Sequence, residues 1–198
     1  MQLKPQTRFL LRGSTLLITF LVLWWFVLRA PMLSLLRGGI EMLGGDVAGE
    51  TAAGDWTMRV PLEGVIPATQ GRAAQQVRSV EFDIARADVN AFTFSLPVFW
   101  AIMLAIPGLR RSVRPLAIGT ALVAALELAM MFLYLQIVAH NNAAQLGVPQ
   151  GAGAKWLLHF GEYLVVTVIP YAAPFLIAIW LHRDLRGQIF RASGEAKA

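Results

Sequence analysis

Residues 115–138 read PLAIGTALVAALELAMMFLYLQIV, a run long enough to cross a bilayer, since about 20 residues at ~1.5 Å each span a hydrocarbon core of ~30 Å. One carboxylate, Glu127, stands near its middle. Counted from Leu116 it lies about 16 Å in, close to the centre of the core. An ionised and unpaired carboxylate there is costly, so Glu127 is expected to be protonated, hydrogen-bonded to another span, or facing a wet cavity. Just before the run, GLRRSVR sets Arg110, Arg111 and Arg114 between two apolar stretches. Arginines clustered at span ends mark the cytoplasmic side, and the orientation of the remaining spans follows.

Composition agrees with a chain built for lipid. Of 198 residues, 57% are hydrophobic and 15% charged, against about a quarter charged in soluble domains, and the mean hydropathy is +0.58. The net charge of +5 is carried largely by residues flanking apolar runs, an orientation pattern and not a nucleic-acid footprint. With no cysteine, disulfides, thiolate metal sites, cysteine nucleophiles and cysteine-linked lipids are excluded.

The reading is a mainly α membrane protein: four transmembrane helices, with a small β-containing periplasmic domain between the first and second. Residues 1–13 are assigned to the cytoplasm and 14–30 to the first span, an uncleaved signal anchor because LRAPML lacks a small-residue cleavage site. Residues 92–108 form the second span, 109–114 a cytoplasmic loop, 115–138 the third span, 139–155 an outer loop, 156–181 the fourth span and 182–198 a cytoplasmic tail. The basic residues support this drawing: Lys4, Arg8 and Arg12 precede span one, and Arg183, Arg186, Arg191 and Lys197 follow span four. The expected location is a bacterial inner membrane with both termini in the cytoplasm. The helix of span two is expected to start near Leu96, with Pro97 in its first turn and Phe92 and Phe94 still extended, and a kink is expected at Pro170 and Pro174. The tail sets Leu185 and Ile189 among arginines, as a juxtamembrane helix on anionic lipid would.

Residues 31–91 are assigned to the periplasm, and from Gly44 to about Asn90 the composition turns polar, with no window apolar enough to span. After Pro31, Leu33, Leu36, Ile40 and Leu43 recur at helical spacing opposite Arg37 and Glu41, predicting an interfacial helix. Further on, Trp56, Met58, Val60 and Leu62 alternate against Thr57, Arg59 and Pro61, and Val80, Phe82 and Ile84 against Ser79, Glu81 and Asp83. That period of two predicts strands buried on one face, joined as a β-hairpin or small meander.

Polar residues near or inside the spans are the candidate functional groups. Thr167 reaches a depth similar to that of Glu127 from the fourth span, and together they suggest a proton relay or an interhelical hydrogen bond. Ala117, Ala121, Ala125 and Ala129 recur every four residues, a ridge that lets another helix approach closely. Glu127 projects from a different face, so the third span is expected to contact two neighbours. At the outer boundary His159 and Glu162 share a helix face, and His140 approaches them across a loop. The trio has the chemistry of a divalent-metal or acid–base site, but it lacks a fourth ligand and reads better as interfacial histidines with an ion-paired glutamate. Ser79 and Ser95 lack a nucleophile elbow. No catalytic, cofactor or metal residue is assigned.

Three stretches resemble a known family: WWFVLRAP at residues 24–31, WTMRVPL at 56–62 and VEFDIARADVNAFTFSLPVFWAIMLAIPG at 80–108. They are similar to exosortase-associated membrane proteins of the H type. The resemblance implies a bacterial inner-membrane protein that accompanies an exosortase, the multi-spanning enzyme that processes and sorts exported proteins carrying a carboxy-terminal anchor signal. Exosortases use a cysteine nucleophile, and this chain has none, so an accessory role is implied. The expected partners are the lipid bilayer and a membrane protein, exosortase or its substrate, with no nucleic acid and no cofactor. Two other readings compete with it: a small proton-coupled transporter-like element using Glu127, and a membrane hydrolase using His140, His159 and Glu162. The drawing makes a direct prediction. Reporter fusions after Gln70 and after Ser112 should report opposite compartments, and a shared compartment overturns the topology.

Overall fold

The computed structural model describes residues 5–68, 73–105 and 113–181. Arg110 and Arg111, the hairpin loop 69–72 and the tail 182–198 lie outside the described residues. Seven α-helices are described: α1 (Pro5–Leu23), α2 (Arg29–Met42), α3 (Arg86–Phe92), α4 (Ser95–Ala105), α5 (Arg114–Gln145), α6 (Ala152–Tyr163) and α7 (Ile169–Leu181). They join into four segments long and apolar enough to cross a membrane: Leu10–Met42, Arg86–Ala105, Arg114–Gln145 and Ala152–Leu181. The strands are β1 (Asp46–Glu50), β2 (Trp56–Ile66) and β3 (Gln75–Ile84).

The first segment does not break at Pro31. A π-helical turn, Trp24–Leu28, carries α1 directly into α2, with Arg29 N–H donating to the Trp24 carbonyl five residues back. Proline in an α-helix clashes with the carbonyl four residues before it and lacks a donor. The wider π turn just ahead of Pro31 relaxes that clash, so the anchor helix and the expected interfacial helix are one. The same device recurs in the fourth segment, where the π turn Leu164–Val168 precedes Pro170 and Ile169 N–H donates to Leu164.

The chain divides into two compact units. One comprises Met1–Arg29, Phe94–Leu126 and Pro170–Ala198. Here α1 packs on α4, a Cβ added at Gly13 lying 3.7 Å from Ala105 Cβ. A Cβ at Gly119 of α5 would meet the Phe99 ring of α4, so glycine is what lets these helices close up. Trp100 Nε1 donates to Thr120 Oγ1 at 2.9 Å, and Thr120 in turn donates to the Leu116 carbonyl at 2.8 Å. Pro174 sits inside α7, which deprives the Pro170 carbonyl of its usual i+4 donor. Ser95 of α4 replaces it, its Oγ donating to Pro170 O at 3.1 Å in a buried position.

The other unit comprises Ala30–Thr93 and Glu127–Ile169. Its sheet is an antiparallel meander of order β1-β2-β3, one strand more than a hairpin. DVAGE is five residues long and carries Gly49 and a bulge between Val47 and Gly49, which hides its strand periodicity in the sequence. Trp56, Met58, Val60, Leu62, Val80, Phe82 and Ile84 are buried, and Arg59, Ser79, Glu81 and Asp83 face out, as alternation predicts. Leu36 and Ile40 of α2 are buried, whereas Leu33 is only partly covered and Leu43 is exposed. A Cβ at Gly39 would collide with Leu128 of α5, so here too glycine permits a close helix approach.

Phe92 is helical, closing α3, so the stretch ahead of Pro97 is not extended. Helix α5 continues past residue 138 to Gln145. His140 and Asn142 bond back to the carbonyls of Gln136 and Val138, at 2.7 and 2.9 Å, so polar residues that suggest a loop are satisfied inside the helix. Gly147, at φ +102°, ends it, with Val148 N–H donating to Ala143 O at 3.0 Å.

The Ser95 bond yields a test. Ser95→Ala should cost about 1–2 kcal/mol in micellar unfolding. In a Pro174→Ala background, where a backbone N–H is restored to the Pro170 carbonyl, the same change should cost clearly less.

Candidate functional site

The long helix α5 presents the candidate groups on separate faces. Glu127 is 5% exposed and shares the inward face with Val123, Met130, Met131, Tyr134 and Leu135. The helix carries it there because residues at spacings of three and four stack on one side. It does not lack a polar partner within the chain. Among the described residues, Thr93 and Ser95 are the other buried polar side chains. Thr93 Oγ1 donates to Asn90 O at 3.0 Å and Ser95 to Pro170 O, so both hydroxyls are committed to backbone. Glu127 is the one buried carboxylate among the described residues, and farther along the same helix the Tyr134 hydroxyl donates to Asp88 Oδ2 at 3.5 Å.

Thr167 lies in the second π turn and is exposed, in contrast to buried Glu127. The alanine ridge is entirely outward: Ala117, Ala121, Ala125 and Ala129 are all exposed. In the first unit, Ala117, Ala121 and Ala124 form one wall of an open apolar groove of about 570 Å³, with Phe20, Trp100 and Leu104 opposite. Its floor holds Thr120, whose hydroxyl is occupied by Trp100 and Leu116.

The outer histidines do not assemble a site. His159 Nδ1 stands 4.0 Å from Glu162 Oε2, a long contact between exposed groups one turn apart on α6. His140 turns its Nδ1 to its own helix, 2.7 Å from Gln136 O, while its carbonyl accepts from Gln150 Nε2 at 2.6 Å. No group of three or more histidines and carboxylates placed to hold a metal is found among the described residues.

Sequence reasoning missed a cleft of about 210 Å³ in the second unit, where Arg37, Glu50, Trp56, Arg86 and Asn90 meet from α2, the sheet and α3. Arg37 is held by Glu41 Oε1 at 3.1 Å and by the Val47 carbonyl. Arg86 lies against Gly54, whose φ of +84° and bare Cα admit the guanidinium. Its backbone N–H donates to Asp55 Oδ1 at 2.9 Å. The signal was discontinuous, three elements contributing isolated residues.

Four apolar helical segments carrying one small antiparallel meander define a polytopic membrane protein. The chain belongs to the exosortase H-associated membrane protein family, whose model matches residues 3–185. No curated protein and no solved structure matches it.

The burial of Glu127 sets a test. Glu127→Gln keeps shape and hydrogen-bonding capacity and should leave the folded yield within about twofold. Glu127→Leu strands the group that engages the carboxyl and should cost about 1–3 kcal/mol in micellar unfolding. Equal behaviour of the two variants would mean that the carboxyl holds nothing in place.

Proposed function

We propose that the chain is a non-enzymatic accessory protein of a bacterial exosortase-type sorting system, acting by binding a membrane protein, exosortase or its substrate. It resides in the inner membrane with both termini in the cytoplasm and the three-stranded sheet in the periplasm. Membership in a family described as exosortase H-associated supports the system. The basic segments flanking the apolar runs support the orientation.

The observation that carries the binding role is the outward alanine ridge of α5. Within a bilayer, lipid tails are as apolar as leucine, so helices associate through close packing and not through hydrophobic burial. Small residues at every fourth position allow that approach, and here all four alanines are exposed. Glu127, turned inward, is an internal packing anchor in this scheme.

Purification from mild detergent tests the proposal. The exosortase of the same organism should copurify with the wild-type chain. Ala121→Phe and Ala125→Phe, placed on an exposed face, should leave the amount and melting temperature of the chain unchanged and lower copurification at least tenfold. A wild-type chain that emerges alone from every mild detergent overturns the proposal.

A further inference from the structure

We infer that the outer edge of β3 is a docking lane for an extended segment of a partner protein, with lysine or arginine at alternate positions and apolar residues between them. The lane runs over Ser79–Ile84. That the owner of the segment is a membrane partner rests on the function proposed above; the lane itself rests on the sheet.

The two edges of the meander are unlike. β1 is five residues long and bulged between Val47 and Gly49, which are ordinary ways of blunting an edge. β3 is ten residues long, contains neither proline nor lysine, and pairs on one side with β2. Alternate residues of such a strand direct N–H and C=O groups away from the sheet. Among the described residues, no backbone bond outside the ladder involves β3. The outward row is a template for one more strand.

Charge selects what fits. Asp46 pairs in register with Arg59, and Arg59 with Glu81. Arg59 Nη1 lies 3.9 Å from Asp46 Oδ2, and Nη2 lies 3.1 Å from Glu81 Oε2. The row therefore alternates negative, positive, negative across three strands, and the next place calls for a positive charge. Two residues along, Asp83 stands on the same face, accepting from Thr57 Oγ1 at 2.6 Å. Each carboxylate keeps acceptor capacity beyond its one partner, and the Glu81 side chain is 53% exposed. On the opposite face Val80, Phe82 and Ile84 are buried, so the residues between the basic ones should be apolar. A second copy of this chain fits poorly: an antiparallel pairing centred on Phe82 sets Asp83 against Glu81 of the other copy, like charge to like.

The test uses the full chain in phosphatidylcholine nanodiscs, with empty discs as control and three ten-residue peptides: alternating lysine–valine, alternating glutamate–valine, and the lysine–valine peptide N-methylated at every second residue. The lysine peptide should bind at least tenfold more tightly than the glutamate peptide, and N-methylation should abolish its binding. The double variant Glu81→Lys, Asp83→Lys should reverse the preference. Should that variant lose its β circular-dichroism signal, Asp83→Asn takes its place and should weaken lysine-peptide binding at least threefold. Equal binding of the lysine and glutamate peptides, indifference to N-methylation, or an unchanged preference in the folded variants overturns the lane. Exosortase copurification that persists while no lysine peptide binds removes the lane and leaves the proposed function standing.

Discussion

In hydrocarbon no water is present to satisfy a backbone carbonyl, so a helix that loses a donor must find another one inside the protein. Three prolines, Pro31, Pro170 and Pro174, each remove a donor from the apolar helical segments. The chain answers in two ways. π turns precede Pro31 and Pro170, widening the coil where the proline ring would otherwise strike a carbonyl. For Pro174 the answer comes from another helix, Ser95 donating to the carbonyl that Pro174 leaves open. That bond ties α4 to α7 at a fixed height, since a hydroxyl reaches one carbonyl and not the next. A backbone defect thus becomes a packing constraint. Two hydroxyls of the first span are quieter: Thr15 and Thr19 donate to carbonyls four residues back in their own helix, satisfying themselves within that helix.

Much of this was legible in the sequence, because hydropathy and period are local quantities. The four apolar segments, the strand faces of β2 and β3, and the separate faces of Glu127 and the alanine ridge follow from spacing alone. The continuity of α1 into α2 did not. Proline is a helix breaker in a window of residues, and only the preceding π turn, which has no composition of its own, shows that it is accommodated. The third strand escaped because Gly49 and a bulge interrupt its alternation. The final turns of α5 escaped because HNNAAQ looks like a loop until His140 and Asn142 are seen bonding to carbonyls of the same helix. Ser95 stands in no recognisable motif. Its true partner, 75 residues away, was out of reach of any local pattern.

Helix α5 shows how one element serves two media. Its buried side carries methionines, Tyr134 and one carboxylate, which fix the helix against its own chain through shape and a polar contact. Its exposed side carries Ala117, Ala121, Ala125 and Ala129 beside Ile118, Leu122 and Leu133, and under the proposed function the alanines leave the room a partner helix would use. Larger side chains on that side would fill the room with no loss to the fold. Under the function proposed above, that face is where the partner would sit.

The sheet faces the opposite difficulty. Two strands alone are marginal in water, and β1 supplies the third strand. Adding β1 on one side moves the centre of the sheet to β2 and leaves β3 at the margin. The ion pairs follow that order: Arg59, on the central strand, is flanked by carboxylates on both neighbours, 3.1 Å from Glu81 and 3.9 Å from Asp46, so its one charge is shared between them. Surface pairs of this kind contribute little to stability. Their consequence lies in sign, because the row ends on a negative charge at β3, for which no backbone bond outside the ladder is found among the described residues. A sheet selected for stability alone would end on a short or bulged strand at both margins, as it does at β1, and this one does so at one margin only.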